Sequence, residues 1–176
     1  GVTLSGGEPL LQPQFCVELL EKCLAHGINT AVETCGQVPW ENMAAVLPFI
    51  DTLFFDVKHL DTAVHRQLTS AGNERILDNL ARVDGAGQAL SLVVRMPVVP
   101  GCNDTEDNIR ALGNLCKKLA TLKEIQVLPY HRLGIETYRR LSVPYSLEHT
   151  QAPDDTFMAH CRTLLEQMGL QANVGG

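Results

Sequence analysis

No run in the 176 residues approaches the roughly 20 apolar positions that a membrane span requires. No basic segment leads into an apolar stretch, so nothing in view reads as a secretory signal. Positive charge is scarce: 14 Lys and Arg face 20 Asp and Glu, a net charge of −6. A nucleic-acid footprint would need clustered cations. Any Cys-x-x-Cys spacing is also missing, the six cysteines standing at 16, 23, 35, 102, 116 and 161. A chain neither short nor evidently secreted is not expected to rest on disulfides. Cys23, Cys116 and Cys161 fall on apolar helix faces and read as small hydrophobes, whereas Cys35 and Cys102 fall in loops. These absences argue against nucleic acid and membrane as partners and favour a reducing cytoplasm. Repeats, low-complexity tracts and long linkers are lacking as well, so one domain over residues 1–176 is expected.

What is present is alternation. Short apolar runs at 2–5, 29–33, 52–57, 90–96, 124–128 and, more weakly, 171–174 read as strands covered on both faces. Helical periodicity lies between them. In 13–26, Phe15, Leu19, Cys23 and Leu24 share a side; in 104–120, Ile109, Leu112, Cys116 and Leu119 do. Asn103 with Glu106 reads as a capping box. Phe157, Cys161, Leu164, Leu165 and Met168 mark a last helix, and Gly169 offers it a left-handed cap. Two shorter helices are expected at 61–68 and 74–84. The alternation predicts an α/β fold with a mostly parallel sheet, either open and doubly wound or part of a barrel. The first run is entered without Met or a preceding turn, which reads as a cut, while residues 170–176 read as a native end.

In such folds chemistry gathers after the C-terminal ends of the strands. Five ends carry residues that burial alone would not select: Ser5-Gly6-Gly7-Glu8-Pro9, Glu33-Thr34-Cys35-Gly36, Asp56-Val57-Lys58-His59, Arg95 before Pro97–Gly101, and Pro129-Tyr130-His131. Gly6 and Gly7 can bring bare backbone to a ligand, though a Gly-Gly pair is more often only a turn. Glu8 offers an acceptor to an ammonium group. Asp56 and Lys58 lie two apart and point the same way; the bland alternative is an ion pair closed on itself. Arg95 can hold a carboxylate through two hydrogen bonds. His131 gains weight from its strand end, while His26, His59, His65, His149 and His160 read as surface or packing residues.

Residues 1–10 (GVTLSGGEPL), Phe55-Asp56-Val57-Lys58, residues 95–101 (RMPVVPG) and residues 128–134 (LPYHRLG) carry a family resemblance. The sequence resembles the glycyl-radical-enzyme activases of the radical SAM superfamily, nearest the pyruvate formate-lyase activating enzyme and its paralogues. Gly-Gly-Glu-Pro alone marks only the superfamily, whereas the Leu-Pro-Tyr-His-x-Leu-Gly run is more specific and argues against other radical SAM enzymes. The resemblance implies a partial (βα)6 TIM-like barrel lacking its first βα unit. It implies a [4Fe–4S] cluster that cleaves S-adenosylmethionine to a 5′-deoxyadenosyl radical, which takes hydrogen from a backbone glycine of a partner glycyl radical enzyme. The full protein would then be a [formate-C-acetyltransferase]-activating-type oxidoreductase, served by an electron donor such as flavodoxin or ferredoxin. Gly6, Gly7, Glu8, Asp56, Val57, Lys58, Arg95 and His131 would contact S-adenosylmethionine. Glu33, Thr34, Asp56 and the Phe54 carbonyl would match a monovalent-cation site, with Glu33 where the activase has Asp. The family's Cys-x3-Cys-x2-Cys loop is missing, so its place is expected upstream and this stretch alone should lack radical activity. A non-catalytic α/β binding module is the alternative from another class.

Overall fold

The computed structural model describes residues 1–87 and 89–175, so Gly176 of the terminal reading lies outside the described residues. Six strands form one sheet: β1 (Val2–Leu4), β2 (Thr30–Thr34), β3 (Thr52–Asp56), β4 (Ser91–Val98), β5 (Leu122–Pro129) and β6 (Ala172–Val174). Every neighbouring pair is parallel, and the order is β1-β2-β3-β4-β5-β6. A doubly wound sheet reverses its strand order at a switch point. This one never does, and the remaining expectation, part of a TIM-like barrel, is what the chain adopts.

Each crossover carries helix: α1 (Pro13–Ala25), α2 (Trp40–Val46), α3 (Thr62–Thr69) and α4 (Glu74–Gly85), then α5 (Glu106–Cys116), α6 (Ile135–Arg140) and α7 (Asp155–Gln167). Val32, Leu53, Phe55, Val94, Met96, Ile125 and Val127 point from one sheet face into the core, with Leu20, Leu80, Ile109, Leu112 and Leu165 from the helices. The other face alternates with it and is mostly half-buried, Val93 of β4 being a buried exception. The expectation of strands covered on both faces is therefore corrected. Glu33, Phe54, Asp56, Arg95, Glu124 and Gln126 occupy the open face, where Glu33 and Asp56 offset their partial burial by pairing with Arg95.

Two local expectations also change. In α1 the buried positions are Cys16, Leu20 and Cys23, while Phe15 and Leu24 are 60% and 56% exposed. The apolar stripe of α1 is broad, and only part of it meets the sheet. The capping box is displaced too: α5 starts at Glu106 with Thr105 as its cap, whose hydroxyl accepts from the Asn108 N–H at 3.3 Å. Asn103 is engaged elsewhere, as described below. Gly169, at φ +82°, does adopt the left-handed conformation expected of it after α7.

Candidate functional site

The C-terminal ends of β1 to β4 deliver their polar residues to one cavity of about 210 Å³, lined by Ser5, Gly6, Gly7, Glu33, Thr34, Cys35, Asp56, Lys58 and Arg95. Parallel register explains the convergence. Asp56 lies directly across from Arg95 and Glu33 across from Phe54, so alternation puts Glu33, Asp56 and Arg95 on the same open face.

Arg95 is the hub. Its Nη1 donates to Glu33 Oε1 at 3.0 Å and its Nε to Asp56 Oδ1 at 2.9 Å. The guanidinium also lies 5.0 Å from the centre of the Phe54 ring, a cation–π distance. The two carboxylates respond differently. Burial pulls Glu33 upward, but hydrogen bonds from Ser5 (2.6 Å) and Arg95 outweigh it and leave Glu33 below the usual range. Burial dominates at Asp56 and holds it above the usual range despite Arg95 and Lys58. Arg95 itself is raised: burial opposes the shift, and its two carboxylate partners overcome it.

Glu8 braces the neighbouring corner. Its carboxylate accepts from the Leu10 N–H at 3.2 Å, from the Thr34 hydroxyl at 2.9 Å and from the Cys35 N–H at 3.0 Å. It thus ties the turn after β1 to the end of β2. Gly6 has φ +114°, a value that favours glycine, and a Cβ at Gly6 or Gly7 would meet nothing within 4 Å. The backbone there is open to an occupant.

The site residues named from sequence do not all converge. Gly6, Gly7, Glu33, Thr34, Asp56, Lys58 and Arg95 meet, and Glu8 sits behind Thr34 and Cys35 as just described. Phe54 supplies its ring to Arg95. Val57 is buried in the core at 1% exposure, with its N–H donated to the Arg95 carbonyl at 2.8 Å. His131 is exposed and lines a separate cavity of about 350 Å³ with Pro97, Leu128, Pro129, Tyr130, Gly134 and Tyr145. Among the described residues no ion pair joins Asp56 to Lys58; Asp56 pairs with Arg95.

Sequence reading took Asn103 for a helix cap and passed over Asn73, Asn79 and Asn108, the other buried asparagines that hold this rim. Asn103 is 2% exposed; its amide donates to the carbonyls of Lys58 at 2.7 Å and Pro97 at 2.6 Å, and accepts from the Val99 N–H at 2.7 Å. Asn79 reaches the carbonyls of Gly36 and Val38, and Asn73 those of His59 and Leu60. Asn108 accepts from the Leu60 N–H. The one available signal was asparagine inside otherwise apolar helical and loop stretches, where its burial demands partners.

Cationic Lys58 and Arg95 can meet a carboxylate, and Glu33 and Asp56 an ammonium or hydroxyl. The cavity therefore suits the charged end of an amino-acid-bearing cofactor. An iron–sulfur cluster does not fit: among the described residues no group of three or more His, Cys, Asp or Glu is placed to hold a metal ion. Burial pushes Cys116 up to about 12 and, as the leading cause, raises Cys16, Cys35, Cys102 and Cys161 as well, which favours the thiol form in the unliganded chain.

A parallel partial barrel with charged residues gathered at one cavity on its strand-end rim defines a class, and comparison with known proteins gives it a family. Residues 1–112 match the model of the Radical SAM superfamily. The isethionate sulfite-lyase activating enzyme of Oleidesulfovibrio alaskensis is 46% identical over 78% of this chain and 44% of its own length. The (2S)-3-sulfopropanediol dehydratase activating enzyme of Klebsiella oxytoca is 37% identical over 99% of this chain and 56% of its own. The crystal structure of a domain of pyruvate-formate lyase-activating enzyme from Bacteroides vulgatus superimposes with a TM-score of 0.82 at 32% identity, covering 100% of this chain and 99% of that one. The chain belongs to the radical SAM superfamily and, within it, to the glycyl-radical-enzyme activating enzymes. It spans about half the length of the two curated relatives just described. S-adenosylmethionine and a [4Fe–4S] cluster are the cofactors of that family.

Proposed function

We propose that this chain forms the S-adenosylmethionine pocket of an activase whose complete form takes hydrogen from a backbone glycine of a glycyl radical enzyme. The observation that carries the reading is the meeting of Gly6, Gly7, Glu33, Asp56, Lys58 and Arg95 from four adjacent strands around one cavity. In it, Lys58 and Arg95 face the cofactor carboxylate, and Asp56 and Glu33 its ammonium and hydroxyl groups. Gly6 and Gly7 admit its amino end against bare backbone, with Glu8 fixing the turn that presents them. When bound, S-adenosylmethionine supplies the radical chemistry; the protein orients it and excludes competing contacts. His131 belongs to this reading as a residue of the same strand-end rim, set in the wall of the neighbouring cavity. Val57 contributes through its backbone.

The finer parts rest on the activase relatives. Partners of the pyruvate formate-lyase, isethionate sulfite-lyase and sulfopropanediol dehydratase kinds are candidates, with flavodoxin or ferredoxin as electron donor in a reducing compartment. A monovalent cation at Glu33, Thr34, Asp56 and the Phe54 carbonyl would have to share both carboxylates with Arg95. The stretch alone, without cluster ligands among its described residues, is proposed to be inactive.

Calorimetric titration of the chain with S-adenosylhomocysteine tests the pocket. Saturable binding is expected, weakened about tenfold or more by Lys58→Ala, the loss of a charge-assisted contact, with the melting temperature little changed. No binding to a folded chain would overturn the reading. For the complete protein with its cluster, the check is a glycyl radical signal by electron paramagnetic resonance when candidate partners are added under reduction.

A further inference from the structure

Behind the cofactor cavity lies a second one of about 180 Å³, whose wall includes Cys35, Gln37, Asp56, Lys58, His65 and Thr69. Two side-chain atoms of that wall are buried and have no hydrogen-bond partner among the described residues: Gln37 Oε1 and His65 Nε2. His65 is 3% exposed. Its Nδ1 lies 2.7 Å from the Ala71 carbonyl, and a carbonyl only accepts, so Nδ1 carries the proton. Nε2 is the ring nitrogen left without a partner, and in the Nδ1–H tautomer of imidazole that nitrogen is an acceptor. Gln37 Oε1 is an acceptor as well. Two acceptors on one cavity wall are open to a donor placed in that cavity, since an unpaired buried acceptor loses its hydration without return.

Beside the Gln37 amide itself, the other polar side chains of the wall are already engaged or are acceptors. The Cys35 thiol donates to Glu8 at 3.3 Å, the Thr69 hydroxyl donates to the His65 carbonyl at 2.8 Å, and Asp56 accepts from Arg95. Lys58 remains, with three N–H donors. Its carbonyl accepts from Asn103, but its ammonium enters no hydrogen bond or ion pair among the described residues. Lys58 also stands in the wall of the cofactor cavity and of a third cavity of about 630 Å³ lined by Tyr130, Tyr138 and Tyr145.

We infer that Gln37 and His65 are positioning residues for Lys58: their acceptors give its ammonium a station in the rear cavity, apart from the place it takes against a cofactor. The two residues act through Lys58 and touch no cofactor themselves. Cofactor entry then draws Lys58 forward, and the rear acceptors set how readily it moves.

The test is amine labelling of the unliganded chain with acetic anhydride, read by mass spectrometry and normalised to exposed Lys117 and Lys118. Replacing an acceptor by a group of similar size that cannot accept, in Gln37→Leu or His65→Phe, is expected to raise the Lys58 rate about fivefold, the change one hydrogen bond is worth. Gln37→Glu keeps the acceptor and is expected to keep or deepen the protection. A purely structural role would shift the melting temperature without this ordering. Should His65→Phe fail to fold, the Gln37 pair decides. Equal Lys58 rates in folded wild type, Gln37→Leu and Gln37→Glu would overturn the inference. Because no cofactor is present, this outcome is independent of whether S-adenosylhomocysteine binds.

Discussion

Arg95 joins two carboxylates with opposite titration behaviour, which makes the rim sensitive to acid in a defined direction. Glu33 is depressed, so its contribution to stability is complete above the ordinary glutamate range, about 4.3, and is lost as pH falls through its lower folded value. Asp56 is raised, so ionising it costs the fold something as pH rises past the ordinary aspartate range toward its folded value. Glu33→Gln is therefore expected to lower stability by about 1–2 kcal/mol at pH 7, the scale of a charge-assisted hydrogen bond. The deficit should shrink toward pH 3.5. Urea midpoints at the two pH values check this, and an unchanged or growing deficit at low pH would contradict it. Much of this rim was legible in the sequence, because charged residues inside apolar strand runs must have a reason to be there. What was not legible was their pairing. Asp56 with Lys58 is the natural guess from spacing two, yet Arg95 stands opposite Asp56 across the ladder and reaches it first. Register between strands decides that, and register is not written in either strand alone.

At the scale of elements, strand positions were readable to within a residue or two because each apolar run is bounded by turn residues. Helix faces were harder. Phe15 and Leu24 belong to the stripe of α1 by periodicity but remain exposed, since periodicity reports an apolar face and not what covers it. The turn after β2 shows how tightly an element can constrain its connection. Gly36 has φ +69°, and a Cβ there would fall on the ring of fully buried Phe55. Gly36→Ala combines left-handed strain with an overpacked core and is expected to cost about 3 kcal/mol, or roughly 10 °C in melting temperature for a chain of this size. Circular dichroism melts would show it; a shift within about 2 °C would mean that the turn and Phe55 relax at little cost. The asparagine clamps belong here too. Asn103 was read as a helix cap from its spacing to Glu106, and it instead ties the ends of β3 and β4 together. A buried amide takes the partners that tertiary structure offers, which a local motif does not specify.

For the molecule as a whole, sequential parallel order without reversal curves four strand ends toward a common point on the open face. The half-buried, polar inner surface of the sheet follows from that curvature, and so does the nearness of residues as far apart in sequence as Glu33 and Arg95. His131 departs from this pattern: a strand-end motif places it on the same rim, but the chain turns at Tyr130, whose N–H donates to the Val98 carbonyl at 3.1 Å, and His131 emerges beside a different cavity. The proposed function requires a small molecule at the point where these strand ends meet. Its most direct test is the crystal structure of this chain grown with saturating S-adenosylhomocysteine. Density for the amino-acid end is expected between the Gly6–Gly7 backbone, Glu33, Asp56, Lys58 and Arg95; density elsewhere, or an empty cavity at saturation, would contradict it.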